Sequence, residues 1–429
     1  MKHKTACALL LVLCLLLCAC GKDGGGEARS SSEVPKELRI AIASDLHYLS
    51  RELTDNGPLF QEVVARGDGK LMLDIEAITE AFTEQMIAEH PDLLILSGDL
   101  SFNGEYKSHV DLTEKLKRIE NAGVQVLVLP GNHDINVSTS IRFEGEGYEQ
   151  TENIDAEEFR SLYGDYGYDE ALSLDENSGS YVCEPCEGLR IIMLDTNSYV
   201  SNALSDRSLS WLEEQLKEAK TDGSQVITAS HQNILPHNNL FIFGYRILNA
   251  DQIETLLQKY DVLAHFSGHM HIQHAASDDS ITEVLTSPLS LVPCRYGLLT
   301  WNRNSLSYQA QSVDVSAWAS KQGLTDENLL HFADYARDSF YQNSYRQILS
   351  AFSSSDYPRE SIERMARCFA ETNLAYFTGE ALDREKLAGE LDFWIETAGE
   401  DFHTVYLRSI LEDDAPNSLK IDFRKGEIG

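Results

Sequence analysis

Asp45, His47, Asp99, Asn132, His133, Asp134, His231, His269 and His271 fall in five short polar segments, each directly after an apolar run. The segments are Asp45-Leu46-His47, Gly98-Asp99, Gly131-Asn132-His133-Asp134, Ser230-His231 and Gly268-His269-Met270-His271. Carboxylate, imidazole and amide groups are ligands for divalent transition metals. No thiolate stands among them, so the set suits Mn, Fe or Zn rather than a soft metal. His269 and His271 are two residues apart, a spacing that fits a strand end or tight turn, because residues two apart on a helix diverge.

These residues need elements that aim them at one point. The runs Leu38–Ala43, Leu93–Leu96, Val124–Leu129, Val226–Ala229 and Val262–Phe266 read as buried strands. Helical patterns lie between them, over 71–88, 106–121, 208–220 and 250–260. This alternation predicts an α/β fold, with the polar segments gathered in a crevice at the carboxyl ends of neighbouring strands. Leu189–Leu194 is a further strand, ending in Asp195-Thr196-Asn197. Short strands over 281–286, 296–301 and 306–312 extend one sheet of a two-sheet sandwich. Between Asp134 and Ser178 the chain reads as a long polar loop with one short helix near 155–163. Beyond Asp314 the spacing of Leu329, Phe332, Ala336 and Phe340, and of Ile362, Met365, Phe369 and Phe377, predicts a helical region whose aromatics form its own core.

The pattern D-x-H, G-D, G-N-H-D, H, G-H-x-H resembles the signature of the calcineurin-like metallophosphoesterase superfamily, over residues 38 to 312. The loop Gly98-Asp99-Leu100-Ser101-Phe102-Asn103-Gly104 keeps that family's G-D-x-x-x-x-G phrase. Within the superfamily the chain is most similar to class III cyclic nucleotide phosphodiesterases, in their exported bacterial lipoprotein form with a C-terminal helical extension. The resemblance implies a two-sheet αββα sandwich (38–312) followed by an all-α domain (313–429). It implies two divalent metal ions, Mn or Fe foremost, with Zn as the other choice. Asp45, His47 and His271 would hold one ion, Asn132, His231 and His269 the other, and Asp99 would bridge them. Water between two dications loses a proton near neutral pH and becomes the nucleophile. The resemblance makes His133 the group that protonates the leaving oxygen, and Asp134 is expected to hydrogen-bond it and raise its pKa. Asn233, His237 and Arg295, in loops after strand ends, are candidate substrate contacts.

The chain start and the charge bound the setting. Lys2 and Lys4 precede an apolar run from Ala6 to Ala19, and Leu17-Cys18-Ala19-Cys20-Gly21 resembles a bacterial lipobox. The reading is a signal peptide (1–19), a lipidated Cys20 and a Gly/Ser-rich tether (20–37), which anchors an extracytoplasmic protein to the bacterial cell membrane. The formal charge of −34 repels nucleic acid duplexes. Cys183-Glu-Pro-Cys186 reads as a hairpin turn, with either a local disulfide or ordinary turn residues. The expected activity is hydrolysis of a small phosphodiester, with 3′,5′-cyclic nucleotides implied by the resemblance. A phosphomonoesterase, nucleotidase or phospholipid-headgroup hydrolase on the same metals is the alternative. An anchored binding protein with a vestigial site, its helical domain docking an unknown partner, is the second.

Overall fold

Two sheets face each other, each with parallel strands at its centre. The first runs β15-β14-β13-β1-β2-β3, where β1 is Leu38–Ala43, β2 Leu93–Ser97, β3 Gln125–Leu129, β13 Arg295–Asn302, β14 Ser305–Ser312 and β15 Lys420–Phe423. β1, β2 and β3 are mutually parallel, and β13 pairs antiparallel with β1 (Leu38 opposite Trp301). The second runs β11-β12-β10-β9-β8-β7-β6, from β6 (Ser173–Leu174), β7 (Tyr181–Cys186), β8 (Leu189–Leu194), β9 (Gln225–Ser230), β10 (Ala264–Ser267), β11 (His274–Ser277) and β12 (Thr282–Leu285), with β8, β9, β10 and β12 parallel. This computed structural model describes residues 37–278, 281–413, 415 and 418–423. The leader, Cys20 and the tether up to residue 36 lie outside them.

Strands buried on both faces need apolar residues at every position, which is why these runs are continuous rather than alternating. Ile40, Ile42, Leu94, Leu96, Ile191, Ile227 and Phe266 are fully buried in one core. A second core lies under the helices Asp206–Asp222 and Ala250–Lys259. Among the described residues no helix is long and apolar enough to cross a membrane.

Three expectations need correction. The sandwich is not complete by Ser312. β15 returns from the far end of the chain and pairs with β14, placing Phe423 opposite Leu306. The stretch 134–178 is no open loop. It holds a hairpin of β4 (Ile141–Glu144) and β5 (Gly147–Gln150), a helix (Ala156–Leu162) with an Asp155/Glu158 capping box, and a run of buried rings in which Phe159 and Tyr163 lie 4.5 Å apart. Its rings continue to Tyr181, whose hydroxyl donates to Val128 O (2.8 Å) and accepts from Val128 N (3.1 Å), tying the second sheet to β3. Finally, Cys183 and Cys186 both lie within β7, separated by a register shift, and are not joined by a disulfide. Glu187-Gly188 makes the turn, because Gly188 supplies the positive φ (88°) that the cysteines lack.

The helices after Asp314 form a third core that includes Met270, Ile272 and Leu285 from the second sheet and its loops. Their packing therefore reaches the segment that carries His269 and His271.

Candidate metal centre

Each expected ligand leaves the carboxyl end of a central parallel strand: Asp45 and His47 after β1, Asp99 after β2, Asn132 after β3, His231 after β9, His269 and His271 after β10. The chain stays paired beyond the strands. Asp45 N donates to Gly98 O (3.0 Å), His47 N to Asp99 O (2.9 Å), and Gly268 N to His231 O (3.0 Å). The sheets meet where His269 N donates to Asp45 Oδ2 (3.0 Å).

The backbone here is unusual in a way no sequence pattern announces. Asp45, His47, Asp99, His269 and His271 all have positive φ, between 45° and 65°. Each such residue costs on the order of 1–3 kcal/mol and persists only where surrounding packing imposes it. The motif glycines have a separate cause. A Cβ on Gly131 would lie 2.1 Å from Asp99 Oδ1, and one on Gly268 would lie 2.4 Å from Asp45 Oδ2. The carboxylates, joined at Gly268 by Ser44 Oγ (1.8 Å from that Cβ), fill the space that a side chain would need.

The result is two clusters sharing one carboxylate, Asp45/His47/Asp99/His271 and Asp99/His231/His269. In the first, His47 Nε2 is 3.6 Å from Asp99 Oδ2 and 3.2 Å from His271 Nε2, and His271 Nε2 is 3.3 Å from Asp45 Oδ1. In the second, His231 Nε2 lies 3.3 Å from Asp99 Oδ1 and 3.1 Å from Asn132 Oδ1. Metal–ligand bonds of about 2.0–2.2 Å put neighbouring ligand atoms roughly 2.8–3.6 Å apart in octahedral or tetrahedral geometry, which matches these separations.

Proton accounting points the same way. His231 Nδ1 lies 3.0 Å from the Ser97 carbonyl, and His271 Nδ1 lies 3.1 Å from Asp68 Oδ2. Those partners accept, so each Nδ1 carries the hydrogen and each Nε2 turns a lone pair toward carboxylate or amide oxygens. Only a cation or a proton satisfies such a convergence. Burial works against charge on Asp99, but His231, His47 and His133 hold its carboxyl well below the ordinary range. Burial likewise disfavours charge on His231, and Asp99 overrides it, pushing that imidazole up to about 9. At His269 burial, helped by His231, outweighs the pull of Asp99 and takes the imidazole down to about 4. The residues present fit two cations.

His133 sits at the edge of the cluster, its ring 5.0 Å from that of His47. Its backbone N–H donates to Asp99 Oδ1 (2.9 Å). Its imidazole is not oriented by Asp134, contrary to expectation. Nδ1 lies 2.9 Å from Asn103 Oδ1 and 3.1 Å from Phe102 O. Asp134 is fully buried and instead accepts from Leu100 N, Ser101 N, Ser101 Oγ and Gly131 N (2.7–3.0 Å), clasping the two ligand loops together. Burial and the Asp99 charge push its carboxyl up to about 7 against those donors.

The three candidate substrate contacts are also placed elsewhere. Asn233 and His237 are buried, and their side chains are engaged away from the two clusters. Asn233 bonds Leu235 O, and His237 Nδ1 lies 2.9 Å from His274 Nδ1. Arg295 donates to Thr378 O (3.1 Å), at the end of the helix Arg359–Thr378.

Asp68 was missed. It lies just past the helix Pro58–Arg66, in no motif, yet it orients His271 as outer carboxylates orient metal-binding imidazoles. Asp68→Asn is expected to weaken one metal about 10–100-fold and leave the other in place. Titration of metal-free protein with Mn(II), followed by electron paramagnetic resonance, reads this as two sites split in affinity. Two unchanged sites would exclude the role.

The profile of the calcineurin-like phosphoesterases matches residues 38–273. The chain belongs to that family. Its members carry a dinuclear metal site and hydrolyse phosphoric esters, so this protein is a metal-dependent phosphoric ester hydrolase. Residues 314–417 match a second profile, the C-terminal domain of cyclic nucleotide phosphodiesterase. A probable glycerophosphodiester phosphodiesterase, GpdQ, of Arcobacter nitrofigilis is 28% identical over 244 residues, covering 55% of this chain and 76% of the relative. Sphingomyelin phosphodiesterase 2 of Caenorhabditis elegans is 26% identical over 203 residues, covering 42% and 31%. Among solved structures, a dimetal phosphatase from Danio rerio aligns at TM-score 0.47 and 12% identity, over 64% of this chain and 96% of that one.

Proposed function

We propose that the protein is a dinuclear-metal phosphodiesterase acting on small phosphodiesters, with 3′,5′-cyclic nucleotides as its substrate class. The observation that carries this reading is Asp99, one carboxylate with an oxygen toward each histidine set, beside His133. The C-terminal match to cyclic nucleotide phosphodiesterases favours the narrower substrate. Asp45, His47, Asp99 and His271 would hold one ion and Asp99, Asn132, His231 and His269 the other; the nitrogen/oxygen donor set suits Mn, Fe or Zn, and the family resemblance puts Mn and Fe first. Two bound dications supply a nucleophile at neutral pH and neutralise the phosphoryl oxygens. His133, held at Nδ1 by Asn103 and the Phe102 carbonyl, keeps Nε2 for a proton that passes to the leaving oxygen. Asp134 fixes the loops that carry Asp99 and Asn132 and takes no part in proton transfer.

The test is Mn-loaded protein assayed in parallel on cyclic AMP, cyclic GMP, bis-p-nitrophenyl phosphate and p-nitrophenyl phosphate. Faster turnover of the diesters is expected. Faster turnover of the monoester would replace this reading with a phosphomonoesterase. The names of the two relatives, acting on glycerophosphodiesters and sphingomyelin, make lipid-derived diesters the first substrates to try next.

We further propose that the protein is held at the outer face of the bacterial membrane by a lipid on Cys20, on the strength of Leu17-Cys18-Ala19-Cys20-Gly21. A single acyl chain anchors only marginally, so stable retention requires more than one. Cys20→Ser is expected to move the protein from the detergent phase to the aqueous phase, or to leave an uncleaved precursor. Equal aqueous partitioning of both forms would rule out the anchor.

A further inference from the structure

An apolar cavity of about 270 Å³ adjoins the metal centre and is closed on its other side by the C-terminal helices. Met270, between His269 and His271, lines it. So does Tyr245, whose ring packs 5.4 Å from that of His269, and whose neighbour Gly244 accepts from His269 Nε2 (3.0 Å). The opposite wall is made of rings from the helices Arg359–Thr378 and Phe402–Leu411, among them Phe369, Tyr376 and Phe402. One wall of the cavity is therefore also the loop that carries two metal ligands.

Resting on the phosphodiesterase reading, we infer that this cavity seats the nucleobase of the substrate by stacking on its face, without reading its edge. Three features carry this. The volume lies just below the ~300–1,000 Å³ of ordinary small-molecule pockets, room for one ring system and too little for the chains of a membrane lipid. The lining is dominated by aromatic rings, which hold bases of any identity by their π-faces. Most polar groups in the wall are already engaged: Tyr406 Oη donates to Asn373 Oδ1 (2.7 Å), Asn373 Nδ2 to Ser344 Oγ (3.3 Å), and Asn238 Nδ2 to Tyr376 Oη (3.1 Å), while the Tyr245 hydroxyl, which can both donate and accept, suits either purine. A base in this seat leaves its polar edge toward solvent, on the side of Phe402, which is 63% exposed. The seat therefore does not tell adenine from guanine. It also gives the C-terminal helices a function in substrate selection.

Calorimetry on the Mn-loaded full chain tests this, with AMP, GMP, ribose 5-phosphate, octyl phosphate and inorganic phosphate as probes. AMP and GMP are expected to bind within about threefold of each other and at least about fivefold more tightly than ribose 5-phosphate, the low end for one stacked base. Phe402→Ala alters an exposed ring and is expected to remove most of that advantage while leaving inorganic phosphate unchanged. Ribose 5-phosphate equal to AMP, octyl phosphate tighter than AMP, or a large preference for one purine would each overturn the seat. Turnover of bis-p-nitrophenyl phosphate by the same preparation reports the parent reading separately. Turnover without a base preference refutes the seat alone, and a base preference without turnover upholds the seat and refutes the diesterase.

Discussion

Asp99→Asn is expected to give a folded chain that holds neither metal firmly and has lost activity beyond the ~10²–10⁴-fold that a general acid alone supplies. The reason is the double use of one side chain. Oδ2 faces His47 at 3.6 Å and Oδ1 faces His231 at 3.3 Å, so both clusters lose their shared anion together. An amide keeps the shape but offers one neutral acceptor and one donor, and the donor opposes a cation. Oδ1 also receives the His133 backbone N–H (2.9 Å), so the loop bearing Asn132 should loosen as well. Elemental analysis of the purified variant, alongside circular dichroism to establish folding, checks this. Full two-metal occupancy in a folded Asp99→Asn protein would refute the shared-ligand assignment.

His133→Ala should behave in the opposite way with respect to metal. Every ligand remains, so two ions per chain are expected, with turnover reduced by ~10²–10⁴-fold on substrates with alkoxide leaving groups. The loss should shrink on bis-p-nitrophenyl phosphate, whose leaving group needs no proton. Asn103→Ala, which removes one of the two Nδ1 partners and leaves the Phe102 carbonyl and the ring, should show the same leaving-group dependence at smaller amplitude. Equal losses on good and poor leaving groups would exclude proton donation and leave electrostatic stabilisation as the role of His133. Asp134→Asn, by contrast, should register first as lost stability, because its four donors are all within the ligand loops.

The gathering of these residues was legible in the sequence because their chemistry is local: Asp45, His47, Asp99, Asn132, His231, His269 and His271 each follow a strand whose apolar run marks its own end. What was not legible depends on contacts between distant segments. Asp68 meets His271 across 203 positions, and nothing around it distinguishes it from any surface aspartate. Adjacency in sequence suggested Asp134 as the partner of His133, but neighbouring side chains in a tight loop diverge, and Asn103 from the preceding ligand loop holds the ring. His237 and Asn233 follow a strand end, as the clustered residues do, and only their partners, Leu235 O and His274, show that they face away from the clusters. The rings within 134–178 were hidden by glycines and acids interspersed among them, and β15 by its shortness.

The order of the first sheet has a consequence for how the enzyme is made. β1 is finished within the first 43 residues, yet its antiparallel neighbour spans Arg295–Asn302, and the edge strand β15 comes from 420–423. A chain still emerging from the ribosome can display Asp45, His47, Asp99 and Asn132 but lacks the imidazoles of His231, His269 and His271. Sheets closed by such distant partners fold slowly. The proposed ligand set is therefore complete only after His269 and His271 have been made, and ion capture is expected to follow their arrival rather than synthesis of the first ligands.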